Sequence, residues 1–339
     1  MSDRLTYTPQ SKNEQWPQLT FPLMMLLTAL ALIPLTQIQE SDLFRFSVAG
    51  KGFLVSLEAL ALLVVMAQSG LLVRKLIPAK SAANVKAFAG VSGMGLPFIF
   101  LQGFIPFFEN PFLNYAGAAF MLSSWIFCLY ANEDSWVWVI ASGLTMGIAC
   151  FIFPVCFSGA IALLFYRFLF VKQPLKAKAL NAFLWTLAVI CGLSPALTGN
   201  LPVPAYATEV FSTEFMKGGL NLLIQNAPIW SWGFILIAFV VAILQKQKIL
   251  LCLIFPYLVI RIICTGFLPV ELLGVESTLL LPLAWFTAYG MLRIVRGLEQ
   301  GVRKVNPALA KRIPTIATVC FIVGFLVKIA DVYWYSIHG

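Results

Sequence analysis

The sequence predicts an all-α polytopic membrane protein of about 11 transmembrane helices. Three observations lead there. Hydrophobic residues make up 60% of the 339-residue chain and charged residues only 11%, whereas a soluble domain carries about 25% charged residues to cover its surface. The mean hydropathy is +0.89. Apolar runs of the length needed to cross ~30 Å of hydrocarbon recur from end to end, and a helix is the form that satisfies its own backbone there. This composition excludes a nucleic-acid binder, a cytosolic enzyme and a secreted disulfide scaffold. The single His excludes a multi-histidine metal centre. The seven Cys lie in apolar runs without C-x-x-C spacing, and read as small buried hydrophobes.

In chain order, residues 1–18 form a polar N-terminal segment, and a single transmembrane domain covers 19–336. The first span, 19–38, follows a leader too long and too mixed in charge for a signal peptide. Spans are then expected at 48–73, 86–106, 111–131, 135–153, 155–171 and 179–198. The 135–171 run is too long for one helix, and Pro154 marks the turn within it. Residues 199–226 form a loop whose apolar residues recur at helical spacing from Thr208 to Lys217, which predicts a short interfacial helix. The remaining spans are 227–245, 249–268, 275–292 and 313–336, and the chain then stops without a soluble C-terminal domain. Trp136, Trp138, Trp230, Trp232 and Trp334 sit at span ends as interfacial anchors.

Charge sets the orientation. With the N-terminus in the cytoplasm, all but five of the 23 basic residues fall on the cytoplasmic side, as the positive-inside rule demands of an inner-membrane protein. The five are Arg45, Lys51, Lys217, Arg261 and Lys328. Half of the 14 carboxylates (Glu40, Asp42, Glu109, Glu209, Glu214, Glu271 and Glu276) gather on the opposite, exoplasmic face, which also receives the C-terminus. A charged vestibule above apolar helices suits a phosphate-bearing or sugar-bearing substrate.

Glu58, Arg261 and Lys328 lie within spans. Facing lipid, each would cost roughly 3 kcal/mol, so each is expected to be paired or to line a cavity. The leading expectation is a structural clamp of Glu58 with Arg261 or Lys328. The G-x-x-x-G step at Gly143 and Gly147, and the small-residue run 90–95, predict close helix packing.

Several pieces in order carry a family resemblance. Glu109-Asn110-Pro111 opens a span; Gly143-Leu144-Thr145-Met146-Gly147 and Ile152-Phe153-Pro154 follow. Gln225-Asn226-Ala227-Pro228-Ile229-Trp230 enters another span, and Gly266-Phe267-Leu268-Pro269 with 279–285 closes the set. Over residues 45–290 this resembles the membrane core of GT-C glycosyltransferases, in the aminoarabinose and protein-mannosyl transferase branch. It departs in a short first exoplasmic loop, in Asn110 before Pro111, in Phe153 where the pattern has Lys, and in Gln225 or Asn226 where it has His.

The resemblance implies transfer of a sugar from a polyprenyl-phosphate carrier to an acceptor at the exoplasmic membrane face, normally with inversion. Such transfer needs a carboxylate base and cations at the departing phosphate. Asp42 is the expected base with Glu40 as its stand-in, and Glu109 is placed to orient the acceptor or a divalent cation, although no spacing defines a metal site. Arg45, Lys51, Lys217 and Arg261 are the cations available to the donor phosphate; Arg45 and Lys51 equally suit interfacial snorkelling. Two other readings stay open. One is a catalytically inactive GT-C-like subunit or scaffold bound to a membrane-protein partner, which the departures favour. The other is a transporter or flippase of a lipid-linked substrate that uses Glu58, Arg261 and Lys328.

Overall fold

The computed structural model describes residues 49–78, 81–101, 114–130, 136–170, 173–194, 211–266 and 277–338. Within these, the chain is helical throughout and contains no strand. The helices are α1 (Ala49–Lys75), α2 (Ala83–Leu101), α3 (Asn114–Tyr130), α4 (Trp136–Ile152), α5 (Phe157–Phe170) and α6 (Leu175–Gly192). They continue as α7 (Thr213–Asn226), α8 (Ser231–Leu244), α9 (Phe255–Thr265), α10 (Leu281–Arg303) and α11 (Pro307–His338). A 3-10 turn at Pro154–Cys156 separates α4 from α5, as the proline predicts. A π-helical stretch, Leu250–Ile254, leads into α9, and a 3-10 turn, Ser277–Leu280, leads into α10.

Burial runs opposite ways at the centre and the rim. Helix α2 and the first half of α10, to Leu292, are apolar and buried nearly all round, which marks central helices. Helix α10 packs on α2, α8 and α11, and α1 joins α2 to α3. Beside α10, Trp125, Tyr257 and Trp285 form a fully buried aromatic cluster with ring centroids 5.1–6.3 Å apart. Both indole N–H groups are satisfied in place: Trp285 Nε1 donates to Ser69 Oγ at 2.9 Å, and Trp125 Nε1 donates to the Gly159 carbonyl at 3.2 Å. The peripheral helices α6, α8 and α11 instead expose large apolar side chains, among them Phe183, Leu236 and Val327. So broad an apolar exterior is intolerable in water and is what a lipid-facing surface requires. The protein is a helical membrane protein.

Among the described residues four helices are long and apolar enough to cross a bilayer, or five if the bent pair Thr213–Asn226 and Ser231–Leu244 counts as one span. The apolar helices at 115–129, 136–152, 157–169 and 250–265 are shorter than that. The expected first span, 19–38, lies outside the described residues.

Glycines set the closest approaches. A Cβ on Gly143 would lie 2.6 Å from Ala188 Cβ, and one on Gly147 would run into the Val189 carbonyl, so the G-x-x-x-G step lets α4 seat against α6. Gly93 admits Val73 of α1, and Gly95 admits Phe321 of α11. Some helix ends differ from expectation. Helix α10 continues to Arg303 instead of stopping near 292, because its charged stretch is amphipathic and carries an Arg303–Glu299 pair at 2.6 Å. Helix α11 begins at Pro307 instead of 313, where Asn306 Oδ1 accepts from the Ala308 and Leu309 N–H groups and Pro307 supplies the favoured first residue.

Candidate functional site

One end of the helix bundle holds the two charged side chains that are buried among the described residues, Glu58 and Arg261. It is the end where α1 begins, α2 ends and α3 begins. The first N–H groups of any helix have no partner within it. At α3 they are met by Glu58 of α1: one carboxylate oxygen accepts from Tyr115 N at 2.8 Å, and the other lies 3.4 Å from Ala116 N. Glu58 is only 3% exposed, and its negative charge faces the positive end of the α3 dipole.

The same turn of α3 carries Gly117. A Cβ there would lie 2.6 Å from Phe153 Cβ, so glycine lets Phe153 close on the helix. The Phe153 ring in turn supports Arg261 of α9, whose guanidinium carbon lies 5.3 Å from the ring centroid. Arg261 is 1% exposed and donates to Thr278 Oγ1 at 2.9 Å. A buried carboxylate and a buried guanidinium therefore flank one turn of α3, each held by its own contacts.

Helix α7 lies over this end. Its first turn is capped by Ser212, whose Oγ accepts from Phe215 N at 3.4 Å, while Ser212 N donates to the Gly266 carbonyl at 2.8 Å just past α9. Gly219 sits directly on Thr265, one turn beyond Arg261. At Ala227–Trp230 the chain turns through 110° into α8, and Ser231 Oγ holds the corner by donating to the Pro228 carbonyl at 2.6 Å. Under the corner is a cavity of about 980 Å³. Gln225 and Asn226 line it from α7, Phe100 from α2, and Phe321, Phe325 and Lys328 from α11. Phe100 and Trp230 meet edge-to-face across it at 6.5 Å. Gly219 and Asn226 are seven positions apart on α7, about 10 Å along its axis, so the helix connects the Arg261 region to the cavity.

This geometry corrects the expected clamp. Glu58 pairs with neither Arg261 nor Lys328, because both of its oxygens serve the α3 N–H groups. Lys328 instead bonds Asp331 on its own helix at 2.6 Å. Lys217 is exposed on α7, and Lys51 lies in the first turn of α1. Asp42, Glu40, Glu109 and Arg45 lie outside the described residues. Among the described side chains of the expected donor-phosphate cations, Arg261 is buried at this end and Lys217 is exposed. Thr278, Gly117 and the first turn of α3 are the neighbours that sequence reasoning missed. Only the Ser277-Thr278 pair ahead of Pro282 carried a readable signal, that of a helix start. No three His, Cys, Asp or Glu side chains gather as a metal site among the described residues.

Comparisons of the chain with protein-family models, with curated proteins and with solved structures returned no match.

Proposed function

We propose that the protein is a GT-C-like glycosyltransferase that moves a sugar from a polyprenyl-phosphate carrier to an acceptor at the exoplasmic face of a bacterial inner membrane. The N-terminus lies in the cytoplasm in this reading, the chain crosses the bilayer about 11 times, and the C-terminus is exoplasmic. The observation that supports it best is Arg261. It is a fully buried cation seated on the Phe153 ring, so positive charge is delivered by α9 to the position where the resembled pattern carries Lys. The cavity under the α7–α8 corner adds aromatic walls fit for an isoprenoid chain, with Gln225 and Asn226 at its rim.

The chemistry then follows from simple charge placement. A carboxylate, Asp42 or Glu40, takes the proton of the acceptor hydroxyl. The oxygen attacks the anomeric carbon, the glycosyl–phosphate bond breaks, and the phosphate leaves with the bonding pair. Arg261 stabilises the charge that develops on that phosphate, because a guanidinium in a low-dielectric site is worth far more than in water. Exposed Lys217 on α7 is suited to drawing the donor in.

The test is donor dependence. Purified protein would be incubated with radiolabelled polyprenyl-phosphate sugars and a membrane extract as acceptor, beside Asp42→Asn and Glu40→Gln. Transfer by wild type that is lost in either variant supports the reading and identifies the base. A second reading, an inactive scaffold subunit, is favoured by the departures from the resembled pattern, above all Phe153 in place of Lys. Absence of transfer together with a partner that co-purifies at fixed stoichiometry would support that reading instead.

A further inference from the structure

The far end of the bundle, away from the site above, carries a groove between α5 and α6. Helix α6 packs on α4 and helix α5 packs on α9, so these two consecutive helices diverge. The gap encloses about 410 Å³. Its walls are apolar where Leu164, Phe165 and Phe168 line it, and its mouth is basic, with Arg167 from α5 and Lys178 from α6. No carboxylate belongs to the lining.

We propose that this groove binds one anionic phospholipid, with the phosphate held between Arg167 and Lys178 and the upper part of an acyl chain along the apolar slot. Lys178 reaches across the mouth and donates to the Phe168 carbonyl at 2.9 Å. That bond fixes the ammonium in place and leaves two of its three donors for phosphate oxygens. Arg167 is half-buried on the facing helix, where one edge of its guanidinium meets Cys128 of α3, and the remaining N–H groups of its planar fork are suited to phosphate oxygens. Asn181 donates to Gln173 Oε1 at 2.9 Å, so the remaining polar groups at the mouth satisfy each other. A zwitterionic headgroup would bring its own cation against two fixed cations, and the site therefore selects net negative lipid. Basic pockets between membrane helices at headgroup depth serve this role. The groove does not depend on the transferase reading, because it shares no residue with that site.

Native mass spectrometry of the full protein from mixed phosphatidylglycerol and phosphatidylcholine micelles tests the proposal. Wild type should retain one phosphatidylglycerol in preference to phosphatidylcholine. The double variant Arg167→Gln, Lys178→Gln should lose that preference, with affinity down about thirtyfold. Lys311→Gln with Arg312→Gln, which removes two charges elsewhere, should leave it intact. Ala182→Trp keeps both cations but fills the slot and should also expel the lipid. Should the double variant fail to fold, the Ala182→Trp result decides. Equal retention of the two lipids by wild type, or unchanged preference in the Ala182→Trp variant, would overturn the proposal.

Discussion

Glu58 illustrates how a membrane interior handles a charge that it cannot leave in lipid. The carboxylate is placed against the unpaired N–H groups of α3, which supply both hydrogen bonds and the favourable end of a dipole. Replacing Glu58 with Ala should cost about 1–3 kcal/mol, since two buried donors lose their acceptor. Glu58→Gln, which keeps one acceptor, should cost less. Thermal unfolding in detergent would measure both, and hydrogen exchange at Tyr115 and Ala116 should speed up in the alanine variant. A double-mutant cycle of Glu58→Gln with Arg261→Gln should give a coupling below about 0.5 kcal/mol, because the two share no hydrogen bond. The sequence made both charges conspicuous, since an ionisable residue inside an apolar run stands out at once. It could not name their partners. Those are backbone atoms and a threonine hydroxyl brought in from 17 to 58 positions away, and periodicity carries no information about such contacts.

At the level of whole helices, close contact is decided by the side chains that are missing. Gly147→Ala should be destabilising by roughly 1–3 kcal/mol, because its methyl group meets the Val189 carbonyl of α6 and neither backbone can withdraw freely. Gly297→Ala is the contrast. Nothing lies within 4 Å of a Cβ there, so the substitution should be neutral or slightly stabilising through helix propensity. Thermal melts of the two variants in the same detergent would separate a packing effect from a general one. The packing role of Gly143 and Gly147 was legible because small residues at i and i+4 share one helix face. Helix ends outside the apolar runs were less legible. Hydropathy falls away after Met291, yet α10 continues through Arg293, Arg296 and Glu299 to Arg303. Arg293 bonds Tyr289 one turn back on the same helix and Arg296 bonds Ser81 before α2, so one local pair and one tertiary contact carry the helix past the point where its apolar pattern ends. The same limit applies to the π-helical stretch at Leu250–Ile254, whose composition differs little from an ordinary apolar helix.

For the whole molecule, composition alone indicated the helical membrane class, because 60% hydrophobic residues leave too few polar side chains to cover a water-soluble surface. Helices fall at most of the expected spans, because a bilayer allows one hydrogen-bonding solution, yet only four or five of those described reach the length and apolarity that a crossing needs. The proposed orientation is testable on the intact protein. A protease site inserted after Gly301 should be cleaved from the cytoplasmic side, and one inserted before Ser212 only from the exoplasmic side. The reverse pattern would place the candidate site in the wrong compartment for a lipid-linked donor delivered exoplasmically. The candidate site was only partly legible. Asp42, Glu40, Glu109 and Arg45 fall outside the described residues, and Arg261 alone among the expected phosphate ligands is both described and buried at this end.

Arg261 is therefore where the transferase account is most exposed to test. The measurement is transfer of label from a polyprenyl-phosphate sugar by purified protein in lipid nanodiscs, comparing wild type with Arg261→Gln and Arg261→Lys. The account predicts transfer by wild type and a loss of about 100-fold or more in Arg261→Gln, because a preorganised cation at a departing phosphate contributes on that scale. Arg261→Lys should recover part of the activity by restoring the charge without the fork. Transfer undiminished in a folded Arg261→Gln protein would contradict the account.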